Sequence, residues 1–140
     1  MSSTLFDRPT LKAEYGNYIG GKFVAPVDGH YFEVTTPTDG SVITKVARSN
    51  AKDVENALDA AHEAYASWKN TSVTERSNML LKIADIVEAN HHMLAAVETL
   101  DNGKSIRETI NADLALVIDH FRYFAGVIRA EEGSVSELDQ

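Results

Sequence analysis

Apolar and polar residues alternate in short runs over the first third of the chain. NYI and KFV flank Gly20-Gly21, and YFEVTT and SVITKVA flank the turn sequence Pro37-Thr38-Asp39-Gly40. Short alternating runs separated by glycine or proline turns are typical of β-hairpins. The pattern therefore predicts two hairpins before residue 49.

From about Ser49 the apolar residues recur every three or four positions, the spacing of one face of an amphipathic helix. A first stripe spans Val54 to Trp68, and a second spans Met79 to Leu100 with a break near Asn90-His91. A third runs from Ile106 to Ile128. We expect three amphipathic helices.

Helix boundaries are also marked by residue type. Ser72 precedes Glu75 by three positions and Ser105 precedes Glu108 by three, so each pair predicts a capping box at the start of a helix. Gly103 follows the second stripe and predicts its carboxyl-terminal stop.

These elements predict an α+β fold class, with amino-terminal hairpins followed by three helices. The chain has 140 residues, of which 44% are hydrophobic, as expected of one globular unit.

Composition narrows the classes of function. The net charge is −8, which disfavours binding to a nucleic-acid backbone or an anionic membrane. The chain has no cysteine, so it contains no disulfide, zinc–thiolate site or thiol nucleophile. Its amino terminus lacks the pattern of a signal peptide, and no run of apolar residues is long enough to span a membrane, so we expect a cytoplasmic protein without a membrane partner.

One sequence matches the skeleton of a phosphate-binding loop. GNYIGGK, from Gly16 to Lys22, has its glycines and lysine in the required order. Phe23 stands where Ser or Thr would hold magnesium, and neither a preceding strand nor a following helix is predicted. A glycine hairpin is the better interpretation.

The end of the second stripe carries an unusual charge pattern. Glu98 and Asp101 lie in what should be the last turn of a helix, where the helix dipole disfavours carboxylates. Lys104, a cap on the next helix, a bound cation or simple solvent exposure could each offset this charge.

Five segments of the chain form one ordered set: NYIGGKFV, TTPTDGSVITKVA, DVENALDAAHEAYASW, ETLDNGKS and DHFRYFAGVIRAEEG. Together they resemble the amino-terminal segment of the NAD(P)-dependent aldehyde dehydrogenase superfamily, and the resemblance covers the chain from about Tyr15 onward. The sequences ETLDNGKSIRET and DHFRYFAGVIRAEEGSVSE are most similar to those of bacterial members that act on short aldehydes such as acetaldehyde.

The resemblance implies what the complete enzyme would do. A cysteine thiolate attacks the aldehyde, hydride passes to NAD or NADP held on a Rossmann-like α/β domain, and water activated by a glutamate releases the acid. The cysteine, the glutamate, the stabilising asparagine and the cofactor site all lie later in the family sequence. We therefore assign no catalytic or cofactor-binding residue here, and expect no bound cofactor and no activity from this chain alone.

The resemblance also suggests an organisation of the chain. Residues 1–14 are an amino-terminal extension, 15–48 the hairpin region, 49–133 a helical region covering the cofactor domain, and 134–140 the start of a further element. We expect the three helical stripes to bury against one another and against the sheet of that domain. The implied partners are an aldehyde substrate and further copies of the protein in a homo-oligomer, with no nucleic acid.

Some family members hold a monovalent cation between the second hairpin and the helix end. In this sequence the site would use the carbonyls of Val34 and Thr35 and the carboxylate of Asp101. The alternative is that Lys104 partly neutralises Asp101, or that Asp101 bonds to turn amides.

Two hypotheses of different class follow. The chain is a piece of a dehydrogenase, or it is a stand-alone helical module for self-association or regulation. The polar sequence EEGSVSELDQ at its end favours the first, because it resembles the family's approach to its next strand.

Overall fold

Residues 8–136 are the part of the chain that the computed structural model describes, so the ends of the two predicted terminal segments, residues 1–7 and 137–140, lie outside the described residues. The described part has α+β architecture, as predicted. Its strands are β1 (Glu14–Tyr15), β2 (Asn17–Ile19), β3 (Lys22–Val24), β4 (Tyr31–Thr35) and β5 (Val42–Ala47).

The first predicted hairpin is confirmed. Strands β2 and β3 pair antiparallel, with Asn17 opposite Val24. Gly20 and Gly21 form the turn with φ angles of 60° and 79°, the left-handed region that glycine enters at little cost. Lys22 begins a strand and not a helix, so the glycine sequence is a hairpin, as expected.

The second hairpin is also confirmed, because β4 and β5 pair antiparallel with Phe32 opposite Val46. The sheet has a third strand that the sequence did not predict. Strand β1 pairs parallel with β5, with Glu14 opposite Lys45, which gives the order β1-β5-β4. Two residues are too few to show an alternating pattern.

The helices follow in the predicted order, but the second and third stripes are each divided into shorter helical elements. The break near Asn90 is confirmed, and the third stripe begins with a single helical turn and a π-helical segment. The elements are α1 (Ala51–Trp68), α2 (Val73–Ala89), α3 (His91–Asn102), α4 (Ile106–Glu108), the π segment (Thr109–Asp113) and α5 (Leu114–Val127).

One of the two predicted capping boxes is correct. Glu75 N–H donates to Ser72 Oγ at 3.2 Å, and Ser72 N–H donates to Glu75 Oε2 at 2.9 Å. The box at Ser105 is wrong, because its side chain makes no cap hydrogen bond. There the N–H of Glu108 donates to the backbone carbonyl of Ser105 at 2.9 Å, so the amide that the hydroxyl would accept from is already used.

A second capping box, which the residue patterns did not reveal, begins α1. Asp53 N–H donates to Asn50 Oδ1 at 3.1 Å, and Asn50 N–H donates to Asp53 Oδ2 at 2.9 Å. Asp53 is buried, and its Oδ1 also accepts from the N–H of Val27 and from Asn17 Nδ2. This carboxylate therefore ties α1 to the first hairpin.

The core lies mainly where α2 packs against α5, with α3 beside it. A buried hydrogen bond of 2.7 Å from Ser77 Oγ to the carbonyl of Ala125 links α2 and α5. The buried apolar residues are Ala84, Ala95, Ala96, Leu114, Ile118 and Ala125.

The expected mutual burial of all three stripes is wrong for the first of them. Val54, Leu58, Tyr65 and Trp68 of α1 are between 46% and 59% exposed. The main neighbour of α1 among the other elements is β2, while α2 and α5 pack against each other. We refer to these four residues as the α1 face.

Candidate functional site

The second hairpin and the end of α3 meet at one point. Gly103 ends α3 with a φ of 77°, which confirms the predicted stop. A Cβ atom on Gly103 would lie 2.8 Å from Pro37 Cγ, so only glycine fits there without displacing Pro37. We call this contact, with the residues on either side of it, the hairpin–helix junction.

The hairpin side of the junction is held by its own backbone. Thr36 is buried, its N–H donates to the carbonyl of Ser41, and its carbonyl accepts from the N–H of Gly40, each at 2.9 Å. Asp39 Oδ1 accepts from Ser41 N–H at 2.8 Å. The turn therefore presents Pro37 to α3 in a fixed position.

The charge pattern of the helix side is partly balanced by Lys104. Its Nζ lies 2.7 Å from Asp113 Oδ2 and 3.8 Å from Glu98 Oε1. The hydrogen bond to Asp113 raises the pKa of Lys104 and lowers the pKa of Asp113. Among the ion pairs of the described residues, those of Lys104 are with Glu98 and Asp113 and not with Asp101, so partial neutralisation of Asp101 by Lys104 stays a prediction.

Polar side chains join α3 to the π segment. Thr109 is fully buried, and its hydroxyl donates to the carbonyl of Ile106 at 3.2 Å. The hydroxyls of Thr99 and Thr109 lie 3.0 Å apart. Since Thr109 uses its proton on Ile106, Thr99 is the donor of this pair.

His91, at the start of α3, makes a second link to the π segment. Its Nε2 lies 2.7 Å from the carbonyl oxygen of Ile110. A carbonyl can only accept, so Nε2 carries the proton.

The apolar stripe continues unbroken through the π segment. Hydrophobic spacing therefore does not reveal this segment in the sequence.

A groove of about 870 Å³ lies between the three-stranded sheet and the helices next to the junction. Its walls are mostly apolar, and the carboxylate residues Glu98 and Asp101 also line it. The wall residues from the strands include Val34, Ile43, Thr44 and Val46, and those from the helices include Val87, Leu94, Val97, Leu114 and Val117.

The groove brings together two of the three residues predicted for a cation. Val34 and Asp101 both line it, whereas Thr35 is not one of its wall residues. The pairing of β4 with β5 shifts register between Val34 and Thr35, so the backbone is irregular where the two carbonyls lie. Among residues 8–136, no group of three or more His, Asp or Glu side chains is placed to hold a metal ion.

In the described part of the chain, no helix combines the length and apolar character needed to cross a membrane.

Comparison with known proteins assigns the family. The sequence model of the aldehyde dehydrogenase family matches residues 23–140. An aldehyde dehydrogenase of Deinococcus radiodurans is 62% identical over 130 residues, which is 93% of this chain and 25% of that protein. An acetaldehyde dehydrogenase of Pseudomonas aeruginosa and a long-chain-aldehyde dehydrogenase of Acinetobacter are each 59% identical, over 93% of this chain and 26% of theirs.

Solved structures agree. An aldehyde dehydrogenase from Burkholderia cenocepacia matches with a TM-score of 0.85 and 41% identity over 91% of this chain and 26% of that one. PnpE, solved in complex with nicotinamide adenine dinucleotide, matches with a TM-score of 0.84 and 39% identity over 89% of this chain and 26% of that one. The chain spans about a quarter of the length of these relatives. By both sequence and structure, the chain belongs to the aldehyde dehydrogenase family.

Proposed function

We propose that this chain is the amino-terminal part of an enzyme that oxidises aldehydes to carboxylic acids with NAD or NADP. The observation that carries the proposal is the family match over residues 23–140, combined with coverage of only about a quarter of each relative. The rest of such an enzyme would supply the nucleophile, the base and the cofactor domain.

Within that enzyme, we propose a bracing role for this chain. Large apolar side chains are exposed on α1, including Leu58 and Trp68, and on α5, including Phe124. Surfaces of this kind are normally covered in a finished protein. The proposed organisation remains a hairpin region at 15–48 and a helical region at 49–133 that covers the cofactor domain.

We propose that the chain has no dehydrogenase activity by itself, since the family mechanism requires a cysteine and the sequence has none. The test is to incubate the purified chain with acetaldehyde and NAD or NADP and to follow the fluorescence of the reduced cofactor. We expect none above background. Appreciable turnover would contradict the proposal that this chain is inactive because it has no cysteine.

The substrate proposal is restricted to aldehydes as a class. The relatives named for acetaldehyde and for long-chain aldehydes are equally identical to this chain, so these residues do not separate the two. The test uses the source coding sequence, expressed in frame beyond codon 140. Activity with aldehydes of graded chain length would assign the substrate, and comparison of NAD with NADP would assign the cofactor.

We further propose that Asp101 and the carbonyls of Val34 and Thr35 hold a monovalent cation at the hairpin–helix junction. Support comes from the carboxylate of Asp101 at the negative end of α3 and from the irregular backbone of β4 in the same groove. The test compares the thermal stability of the chain in sodium or potassium chloride and in choline chloride at equal ionic strength. Stabilisation by the small cations that Asp101→Asn abolishes would support the site.

The alternative function is a stand-alone helical module for self-association or regulation, and the exposed α1 face is the observation that favours it. The source coding sequence separates the two proposals. A continuation into a region with the family cysteine supports the enzyme and a homo-oligomer built from complete subunits. An immediate stop codon supports the module.

A further inference from the structure

Asn102 and Gly103 are adjacent at the exposed end of α3. In an Asn-Gly pair, the backbone nitrogen of glycine can attack the asparagine side chain without hindrance from a following side chain. We propose that Asn102 is a site of spontaneous deamidation that the folded end of α3 holds in check, so that the modification reports release of the hairpin–helix junction.

The reaction needs only water. The backbone nitrogen of Gly103 forms a bond to Cγ of Asn102, the side-chain nitrogen leaves as ammonia after taking up a proton, and a five-membered succinimide ring results. Water then adds to one of the two ring carbonyls and opens the ring. The products are aspartate or isoaspartate at position 102.

The hydrogen bonds of the last turn oppose the first step. The attacking nitrogen of Gly103 donates its proton to the carbonyl of Thr99 at 3.0 Å. Asn102 Oδ1 accepts from the N–H of Lys104 at 2.8 Å, and Asn102 Nδ2 donates to Glu98 Oε1 at 3.3 Å. Ring closure therefore requires the turn to open, as the ends of helices do locally.

Contact with the hairpin adds to this restraint. Gly103 lies against Pro37 so closely that no side chain would fit between them. Moving the backbone of Gly103 toward the side chain of Asn102 would disrupt its packing against Pro37. Deamidation is thereby linked to whether the hairpin is docked on α3.

The product would make re-docking harder. Aspartate at position 102 would place a further negative charge beside Glu98 and Asp101, at the end of the helix where the dipole already disfavours it. Isoaspartate would also lengthen the backbone by one carbon before Gly103 and shift it away from Pro37. Once formed, the product would therefore favour the undocked state of the hairpin.

The test follows the mass of tryptic peptides of the 140-residue chain during incubation in mildly alkaline buffer, with and without urea. In urea, we expect Asn102 to be the fastest asparagine of the chain. In buffer, we expect its rate to fall by about tenfold or more, as closure of a hydrogen-bonded turn requires. Equal rates in the two solvents would overturn the proposal, as would a faster asparagine elsewhere in urea.

Two variants separate the restraints. Glu98→Ala removes the acceptor for Asn102 Nδ2, and Pro37→Gly loosens the hairpin contact; each should accelerate deamidation in buffer by about three- to tenfold, the factor that one hydrogen bond or a similar contact is worth. Asn111, which precedes Ala112 and lies outside the junction, serves as the internal control. If a variant unfolds, Asn111 will accelerate as well. If neither Asn102 nor Asn111 deamidates faster in either variant than in the unsubstituted chain, the result contradicts the proposed gating.

Discussion

Gly103 and Pro37 are in a contact that admits no side chain: a Cβ atom on Gly103 would lie 2.8 Å from Pro37 Cγ. Gly103 also has a φ of 77°, which disfavours any other residue. Two separate physical demands therefore fall on one glycine, and the contact joins the second hairpin to α3.

The two demands can be separated by substitution. Gly40 has a φ of 74°, and a methyl group added to it would have no other atom within 4 Å, so Gly40→Ala tests the backbone demand alone. We expect Gly40→Ala to lower the free energy of unfolding by about 1–2 kcal/mol. Gly103→Ala should cost measurably more, because Pro37 must also move. Urea unfolding gives both values, and equal losses would show that the turn yields freely to the added methyl group.

The two halves of this contact were predictable only separately. The proline–glycine turn and the glycine stop are local patterns, and each appears in the sequence at the right place. That Pro37 and Gly103 touch depends on how the turn after β4 packs against the end of α3, which local patterns do not encode. The same applies to the groove, where Val34 and Asp101 meet from distant parts of the chain.

Capping offers a direct comparison of two similar sequences. Ser72 and Ser105 each precede a glutamate by three residues, but only Ser72 forms the box. We expect Ser72→Ala to lower the free energy of unfolding by about 1 kcal/mol, and Ser105→Ala to change it by only a few tenths of that amount. Equal costs would mean that Ser105 also caps its helix in solution.

The reason for this difference lies outside the capping pattern. Glu108 N–H bonds to the backbone carbonyl of Ser105, and the buried hydroxyl of Thr109 holds the carbonyl of Ile106 directly before the π segment. A pattern of residue types predicts that a capping side chain is available. It does not predict whether the amide of Glu108 donates to that side chain or to a backbone carbonyl. At the start of α1 the box is formed by Asn50 and Asp53, a pair that the serine–glutamate pattern does not detect.

The ion pair between Lys104 and Asp113 predicts a pH dependence. Hydrogen bonding to Lys104 holds the pKa of Asp113 below its ordinary value of 3.8, so the stabilisation is present above that value and is lost as pH falls through the lowered pKa. The pKa of Lys104 is raised above 10.5, so its contribution is present below 10.5 and is lost as pH rises through the raised pKa. The pair therefore stabilises the fold fully between these two ordinary values.

Lys104→Met tests this dependence. We expect the variant to be less stable than the unsubstituted chain near neutral pH, and to lose less stability on acidification below 3.8, because Asp113 loses the main cause of its lowered pKa. The effect should be small, since both groups are partly exposed. Lys82→Met, an exposed lysine on α2, is the control for loss of one positive charge. Parallel pH curves for the parent and Lys104→Met would show that the ion pair does not form in solution.

The α1 face leads to a prediction about association. Val54, Leu58, Tyr65 and Trp68 form a single apolar stripe that the described residues leave exposed. We expect the isolated chain to self-associate through this face, and light scattering to give a mass above that of one chain at micromolar concentration. Leu58→Glu should weaken association by about tenfold or more, since burial of one leucine is worth about 1.5–3 kcal/mol.

Asn56→Glu provides the matched control, because it adds the same charge to the opposite side of α1. It should leave the association unchanged, which separates loss of the apolar contact from simple charge repulsion. A monomeric parent chain that unfolds cooperatively would contradict the prediction and would show that the chain closes its own core. If both variants weaken association equally, the contact lies elsewhere on the surface, and the strength of association depends mainly on the net charge of the chain.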